Sequence, residues 1–342
     1  MAKIFLTGAS GFIGGSVLQH LVKLHPEYSI TVLNRDVSKA GAITKAFPNV
    51  RITQGSLDDE EILMREADAA DVVLNLAATG HLNATQTLHK ALASRSNSDK
   101  SPCLIQVSGA TALAAAEIAD KSRQPGTGSE AVFDDLDGAS SIRSIINAHA
   151  TSRVVDHYIL NASAPNVHTA LVFPPVVYGR GTGPVHTVSV QVPALVRATL
   201  SRKRGVRVGP GLSRWGNVHV DSLSALFVRL TEEAVKGNDD ERLWGQNGLY
   251  LTGVGEMTFG ELSRQVAAAA AEQGLIPNDE VDEVNGDEAN VLLPHGTILF
   301  GTNARSKARR AQKILGWSPK GPSLEDTIPD TVAIEAQAFK PC

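Results

Sequence analysis

Residues 2–14 read AKIFLTGASGFIG, and the fold follows from this stretch. Ala2 to Leu6 is short, apolar and β-prone, as a central strand of a parallel sheet must be. Thr7 to Gly14 turns the chain, and a helix is expected from there to about Leu24. Gly8 permits the tight turn. Gly11 has no Cβ, so a pyrophosphate can approach the backbone, and Gly14 lets helix and strand pack closely. The unpaired N–H groups and the dipole at the helix N-terminus favour a doubly charged pyrophosphate. A glycine triplet can also be plain turn chemistry. This one lies between a strand and a helix, the context that a dinucleotide site requires.

Outward from that turn, strand and helix signals alternate. Strands are predicted near 2–7, 29–34, 50–54, 71–76, 103–108 and 167–173, and helices near 12–24, 59–67, 83–96 and 150–162. The alternation predicts an α/β fold, a doubly wound parallel Rossmann sheet, with its ligand beyond the carboxyl ends of the strands. After Pro174-Pro175 the pattern changes: 187–202 reads as helix, Val206–Val208 as a short strand and 209–213 as a loop. The division is therefore a dinucleotide-binding domain over 1–174 and a smaller, mainly substrate-binding lobe over 175–342. Residues 112–148 interrupt the first domain. Gln124–Glu130, with two glycines and a proline, reads as a mobile loop, and Asp134-Asp135-Leu136-Asp137 is acidic. A segment of this length is a candidate lid or substrate-contacting loop, or else a passive surface insertion.

The 342 residues can bury a large core, and 42% hydrophobic and 20% charged residues are ordinary for a globular protein. A net charge of −4 gives no reason to expect nucleic acid or an anionic membrane as partner. Arg202-Lys203-Arg204 with Arg207 forms a local basic patch. Two cysteines, Cys103 and Cys342, do not suggest a disulfide framework, so a cytoplasmic setting is expected. The first strand starts at once, which leaves no room for a cleavable signal, and no apolar run reaches the roughly 18 residues of a membrane span. The ten histidines show no metal-ligand spacing, so no metal is expected. There is neither a nucleophile elbow nor a phosphate-binding Walker loop.

Several segments resemble, in order, the extended short-chain dehydrogenase/reductase family, which includes NAD-dependent epimerases and dehydratases. They are Thr-Gly-x-x-Gly-x-x-Gly over 7–14, DVVLNLAA over 71–78, LVFPPVVYG over 171–179, NVHVD over 217–221 and the closing LGWSP over 315–319. The resemblance spans nearly the whole chain. It implies cofactor contacts from Gly8, Ser10, Gly11, Phe12, Ile13 and Gly14 at the first turn. It implies further contacts from Ser56 and Leu57 around the adenine, from Ala77, Ala78 and Thr79, and from Pro174 and Val176. It also implies that 216–236 returns to the nucleotide domain, and that the protein is a homodimer acting on a small molecule.

The second strand ends Leu33-Asn34-Arg35-Asp36. Asn34 carries no charge to repel a phosphate, Arg35 can fork onto one and Lys39 adds a second cation, so NADP is favoured over NAD. Asp36 could hold a ribose 2′-OH instead, or simply cap the next helix.

A working family member uses a tyrosine as acid, a lysine four residues on that binds the nicotinamide ribose, and a hydroxyl from the fifth strand. None of the four tyrosines here has a lysine four residues later. By alignment, His149 takes the tyrosine position and Arg153 the lysine position. His149 then reads as a general acid or as an ordinary helix residue, and Arg153 as a cofactor contact or a surface cation. Glycine 109 falls at the usual hydroxyl position, which leaves Ser108 or Thr111 to serve. The expected function is an atypical NADP(H)-dependent oxidoreductase acting on a small carbonyl or alcohol. The alternatives are a redox-silent NADP(H)-binding regulator and a non-redox lyase or cyclase using the same pocket.

Overall fold

The computed structural model describes residues 1–95, 100–162, 164 and 166–338. Cys342 and the end of the helix predicted over 83–96 lie outside the described residues. In chain order the strands are β1 Lys3–Thr7, β2 Ser29–Asn34, β3 Arg51–Gln54, β4 Val72–Asn75, β5 Cys103–Val107, β6 Phe133–Asp134 and β7 His168–Phe173. They continue with β8 Val176–Tyr178, β9 Gly205–Val208, β10 Arg214–His219, β11 Leu249–Leu251, β12 Gly255–Thr258, β13 Val281–Val284 and β14 Ser306–Lys307. The helices begin with α1 Phe12–Leu24, α2 Val37–Ala46, α3 Glu60–Asp68, α4 Leu82–Ala93, α5 Ala115–Ala119, α6 Ala139–Ala148 and α7 Val154–Asn161. They end with α8 Gln191–Arg202, α9 Val220–Lys236, α10 Phe259–Glu272, α11 Gly286–Leu292, α12 Gly296–Leu299, α13 Arg309–Ile314 and α14 Leu324–Ala338.

Seven strands form one parallel sheet in the order β11-β7-β5-β4-β1-β2-β3. The order reverses between β1 and β4, so a crevice opens beyond Thr7 and Asn75. Side chains alternate across the sheet. Ile4 and Leu6 join the core under α1 and α9, whereas Phe5 between them joins the opposite core with Leu63, Leu88 and Leu92 of α3 and α4. Helix α9, reached through β10, packs on α1 and puts Leu223 and Phe227 in the same core as Leu6. Helices α8, α10 and α14 pack with β9 and β13 as a smaller body beside the sheet.

Three expectations are corrected. Helix α2 has no counterpart among the predicted helix spans, although Asp36 offered a cap for it: only Ile43 of its residues is buried, so it has almost no apolar period to read. The helix expected over 150–162 is the shorter α7, which starts only after Arg153, and a further helix, α6, precedes His149. Ile142 and Ile146, one turn apart, bury the face of α6. The loop expected to be mobile is tied down. Gly126 N donates to Gly301 O at 2.8 Å, and Leu212 N and Ser213 N both donate to Gly126 O. At φ +87°, a Cβ on Gly126 would stand 1.9 Å from Val208 O. Arg123 pairs with Glu117 at 3.0 Å and donates to Gly301 O, and Asn303 N donates to Glu117. The segment is a strap joining the sheet to the smaller body.

The basic patch is also neutralised. Arg202 and Arg204 meet Asp282, Arg204 meets Glu280 and Arg207 meets Glu283. These acids come from β13 and the residue just before it, and β13 pairs in parallel with β9.

Candidate active site

A continuous cleft runs from the first turn to the interface between sheet and smaller body. Its outer part, about 420 Å³, is lined by Gly8, Ser10, Gly11, Asn34, Arg35, Ser56 and Leu57 among others. Its inner part, about 840 Å³, is lined by Phe12, Ile13, Ala77, Ala78, Thr79, Ser108, Thr111 and Pro174 among others.

The glycines take three different parts. Gly8 has φ +84°, where a side chain is strained. A Cβ on Gly14 would lie 2.2 Å from Gly8 O, so this residue sets the approach of α1 to the turn and does not line the cleft. A Cβ on Gly11 would meet only Gly8 O, at 3.2 Å, and otherwise project into the cleft where a pyrophosphate fits. The cradle therefore suits a dinucleotide.

A buried polar chain holds the wall opposite. Thr7 Oγ1 donates to Asn75 Oδ1 at 2.6 Å, and Asn75 Nδ2 donates to Gln106 Oε1 at 2.7 Å. Gln106 Nε2 in turn donates to Ala78 O at 3.0 Å. Because each member lies at a strand end, the chain fixes the Ala77–Ala78 turn relative to the first glycine turn. His81, which begins α4, accepts from Ala84 N through Nδ1. Its Nε2 therefore carries the proton given to Asp58 Oδ1 at 3.0 Å.

At the ribose end, Asp36 is committed to capping α2. Its Oδ1 accepts from Ser38 N, Ser38 Oγ and Lys39 N, and these bonds hold its pKa below the usual carboxylate range. Lys39 does not line the cleft; its Nζ lies 3.8 Å from Asp36 Oδ2. Arg35 does line it, exposed and with no side-chain partner among the described residues. Asn34 is buried against the Asp36 backbone.

Behind the wall of the inner cleft, which it does not itself line, Arg153 reaches from the start of α7 to the end of β5. Its guanidinium donates to Thr111 Oγ1 at 3.0 Å and to Ser108 Oγ at 3.2 Å. Asp156 anchors the same guanidinium, accepting from Nε at 2.8 Å and from a terminal nitrogen at 2.6 Å. Burial pushes the Asp156 carboxyl up, against the pull of Arg153 and Ser108. Nothing in the spacing marked Asp156 as part of this cluster.

His149 is not brought to the cleft. It closes α6, donating its backbone N–H to Ile145 O, and is absent from the lining. Arg153 N still donates to His149 O at 3.0 Å, but the backbone at both residues is non-helical (φ −114°, ψ 32° and φ −118°, ψ 41°), so a turn between α6 and α7 replaces the single helix that alignment assumed. Val176 is also off by one. It points into the core and Val177 lines the cleft, as strand alternation requires. No tyrosine lines the cleft. Tyr178 donates to Pro322 O, and burial with nearby Glu325 and Asp326 pushes its pKa to about 12. Ser189, Gln191, Trp215 and Leu299 complete the inner wall from the second half of the chain. No local signal could have found them.

A doubly wound sheet, a glycine-rich first turn and a cleft leading to a second body define a nicotinamide-dinucleotide-binding enzyme. The chain belongs to the NAD dependent epimerase/dehydratase family, whose profile matches residues 4–243. It is 35% identical over 344 residues to oxidase ucsJ of an Acremonium species, covering 98% of each chain. The fold is also similar to that of dTDP-glucose 4,6-dehydratase from Bacillus anthracis in complex with NAD. That likeness has TM-score 0.65 and 17% identity, over 98% of this chain and 97% of that one. UDP-glucose 4-epimerase from Thermotoga maritima with UDP-glucose gives TM-score 0.61 and 17% identity, over 99% and 100%. At that identity the solved structures bear on the fold alone. Among the described residues no helix is long and apolar enough to cross a membrane, and no cluster of metal-type ligands occurs.

Proposed function

We propose that this protein is an NADP(H)-dependent oxidoreductase acting on a small carbonyl compound or the corresponding alcohol. The observation that carries this reading is the Arg153 guanidinium held by Asp156 against both hydroxyls at the cleft wall. A bound nicotinamide supplies or accepts the hydride. Arg153 stands behind the wall and would act through the two hydroxyls it bonds, orienting them and lending positive charge to that side of the site. Because Thr111 Oγ1 accepts from Arg153, its own proton is free to be donated to a substrate oxygen. Ser108 can turn between Asp156 and the cavity. Charge that develops on the oxygen during reduction is thus met by a hydroxyl and a nearby cation, and the proton that completes the alcohol comes from water.

Ser108→Ala and Thr111→Val are each expected to lower kcat by roughly 10- to 100-fold. His149→Ala is expected to stay within about threefold of wild type, since a residue off the cleft contributes little beyond position. Steady-state NADPH consumption across a carbonyl panel reads all three. A collapse with His149→Ala alone would return the acid to that residue. Tight cofactor binding with no turnover across the panel would overturn the reading and favour a redox-silent binder.

The preference for NADP rests on the free Arg35 guanidinium, the neutral Asn34 and the commitment of Asp36 to its helix. Arg35→Ala is expected to weaken NADPH binding by about 10- to 100-fold, the worth of a charge-assisted phosphate contact, and to leave NADH binding nearly unchanged. Titration calorimetry with both cofactors measures it; equal losses for the two would sink the 2′-phosphate assignment.

A further inference from the structure

We propose that the inner cleft takes an uncharged, largely apolar carbonyl compound or alcohol and rejects anionic substrates, nucleotide-linked sugars among them. The inference rests on the oxidoreductase reading only for where the reacting oxygen sits; its own ground is the chemistry of the wall.

Among the described residues no lysine, arginine, aspartate or glutamate lines the inner cleft. Its one ionisable side chain, His81, is turned to Asp58 at the cofactor end and has both ring nitrogens engaged. The cation behind the wall, Arg153, is paired with a buried carboxylate and covered by Ser108 and Thr111. On the far side the Trp215 donor and one Gln191 donor are turned away, and the remaining polar groups, the Ser189 hydroxyl among them, are neutral. Trp215 Nε1 donates to Thr302 O at 2.9 Å, and Gln191 Nε2 donates to Leu299 O at 2.8 Å. What Trp215 offers is an apolar ring. The Gln191 amide, with one of its N–H groups given to Leu299 O, is a neutral polar group and no counter-charge for an anion. At the rim, Val190 is 59% exposed and neighbouring Val188 44%, apolar surface that a ligand can cover.

An anion drawn into this space loses its hydration without gaining a counter-charge. A neutral ketone loses little: its oxygen finds Thr111 and its carbon skeleton finds Trp215, Leu299 and Val177. The volume of about 840 Å³ holds a nicotinamide together with a compact substrate. The outer cleft is different, because there the open N-terminus of α1 and Arg35 receive the anionic parts of the cofactor.

The test uses the NADPH-loaded full chain and titration calorimetry. The probes are aryl, cycloalkyl and linear methyl ketones, each paired with a carboxylated counterpart of similar size, together with UDP-glucose. Neutral members are expected to bind and their carboxylated partners to bind on the order of 100-fold more weakly, with UDP-glucose undetectable. Leu299→Arg, which puts a cation in the wall, is expected to narrow the gap at least about tenfold. The proposal is overturned if UDP-glucose or the carboxylates bind as tightly as the neutral ketones, or if no neutral ketone binds. NADPH consumption is followed separately. Neutral ketones that bind without turnover would sink the oxidoreductase reading and leave this one standing.

Discussion

Replacing Arg153 by methionine is expected to reduce kcat/KM for NADPH-dependent carbonyl reduction by roughly 100- to 1,000-fold, the loss found when a preorganised donor at a developing charge is removed. The guanidinium is asked to do two things at once: orient two hydroxyls and set the local charge. Methionine keeps most of the volume and none of the donors. It also leaves the Asp156 carboxylate, only 1% exposed, without its partner, which costs about 3–5 kcal/mol of stability. Folded protein must therefore be confirmed by circular dichroism before rates are compared. Arg153→Lys separates charge from geometry, because it retains the cation and loses the planar fork. An intermediate rate is expected for it. If Arg153→Met folds and turns over as fast as wild type, the arginine is a structural ion pair and the chemistry lies elsewhere.

Replacing Asp135 by alanine is expected to lower unfolding stability by about 3–5 kcal/mol while leaving the rate constants of the folded enzyme nearly unchanged. Asp135 is fully buried. One carboxylate oxygen accepts from Arg309 N and Arg310 N, both at 2.8 Å, and the other accepts from Leu251 N at 2.9 Å. Its carbonyl accepts from Arg310 Nε. The residue thus pins the strap to the sheet edge at β11 and to the start of α13. Truncation strands three N–H groups, two of them fully buried. Asp135→Asn keeps one acceptor oxygen and is expected to lose about half as much. Urea unfolding measures both, and a loss under about 1 kcal/mol for alanine would mean that water replaces the carboxylate.

The same residue sets a pH dependence. Burial raises its folded pKa from 3.8 to about 6 against the pull of the backbone N–H groups and Arg310. The folded state then binds the proton more tightly than the unfolded chain. The stability linked to this group is full below 3.8 and declines as pH rises towards about 6. Asp135→Asn should flatten that part of the stability profile.

The parallel sheet, the glycine turn and the dinucleotide cradle were legible in the chain because each is local. The short, largely apolar run Ala2 to Leu6 followed by glycines at 8, 11 and 14 carries its own geometry, and the strands at 29–34, 72–75 and 168–173 repeat the same short apolar signal. Asp36 as a helix cap was likewise a local reading, and its side-chain bonds bear it out. The reacting end of the cleft was not written that way. Arg153 meets Thr111 and Ser108 across 42 and 45 positions, through a break in helix geometry that alignment cannot see. Asp156 gains its meaning from burial beside that arginine. Trp215, Gln191 and Leu299 share a wall because the smaller body folds back over the sheet, held there by a strap with no periodic pattern. Periodicity and turn chemistry act over a few residues, so composition and spacing express them. Convergence of side chains from distant segments is set by how helices and strands pack, and no single segment contains it.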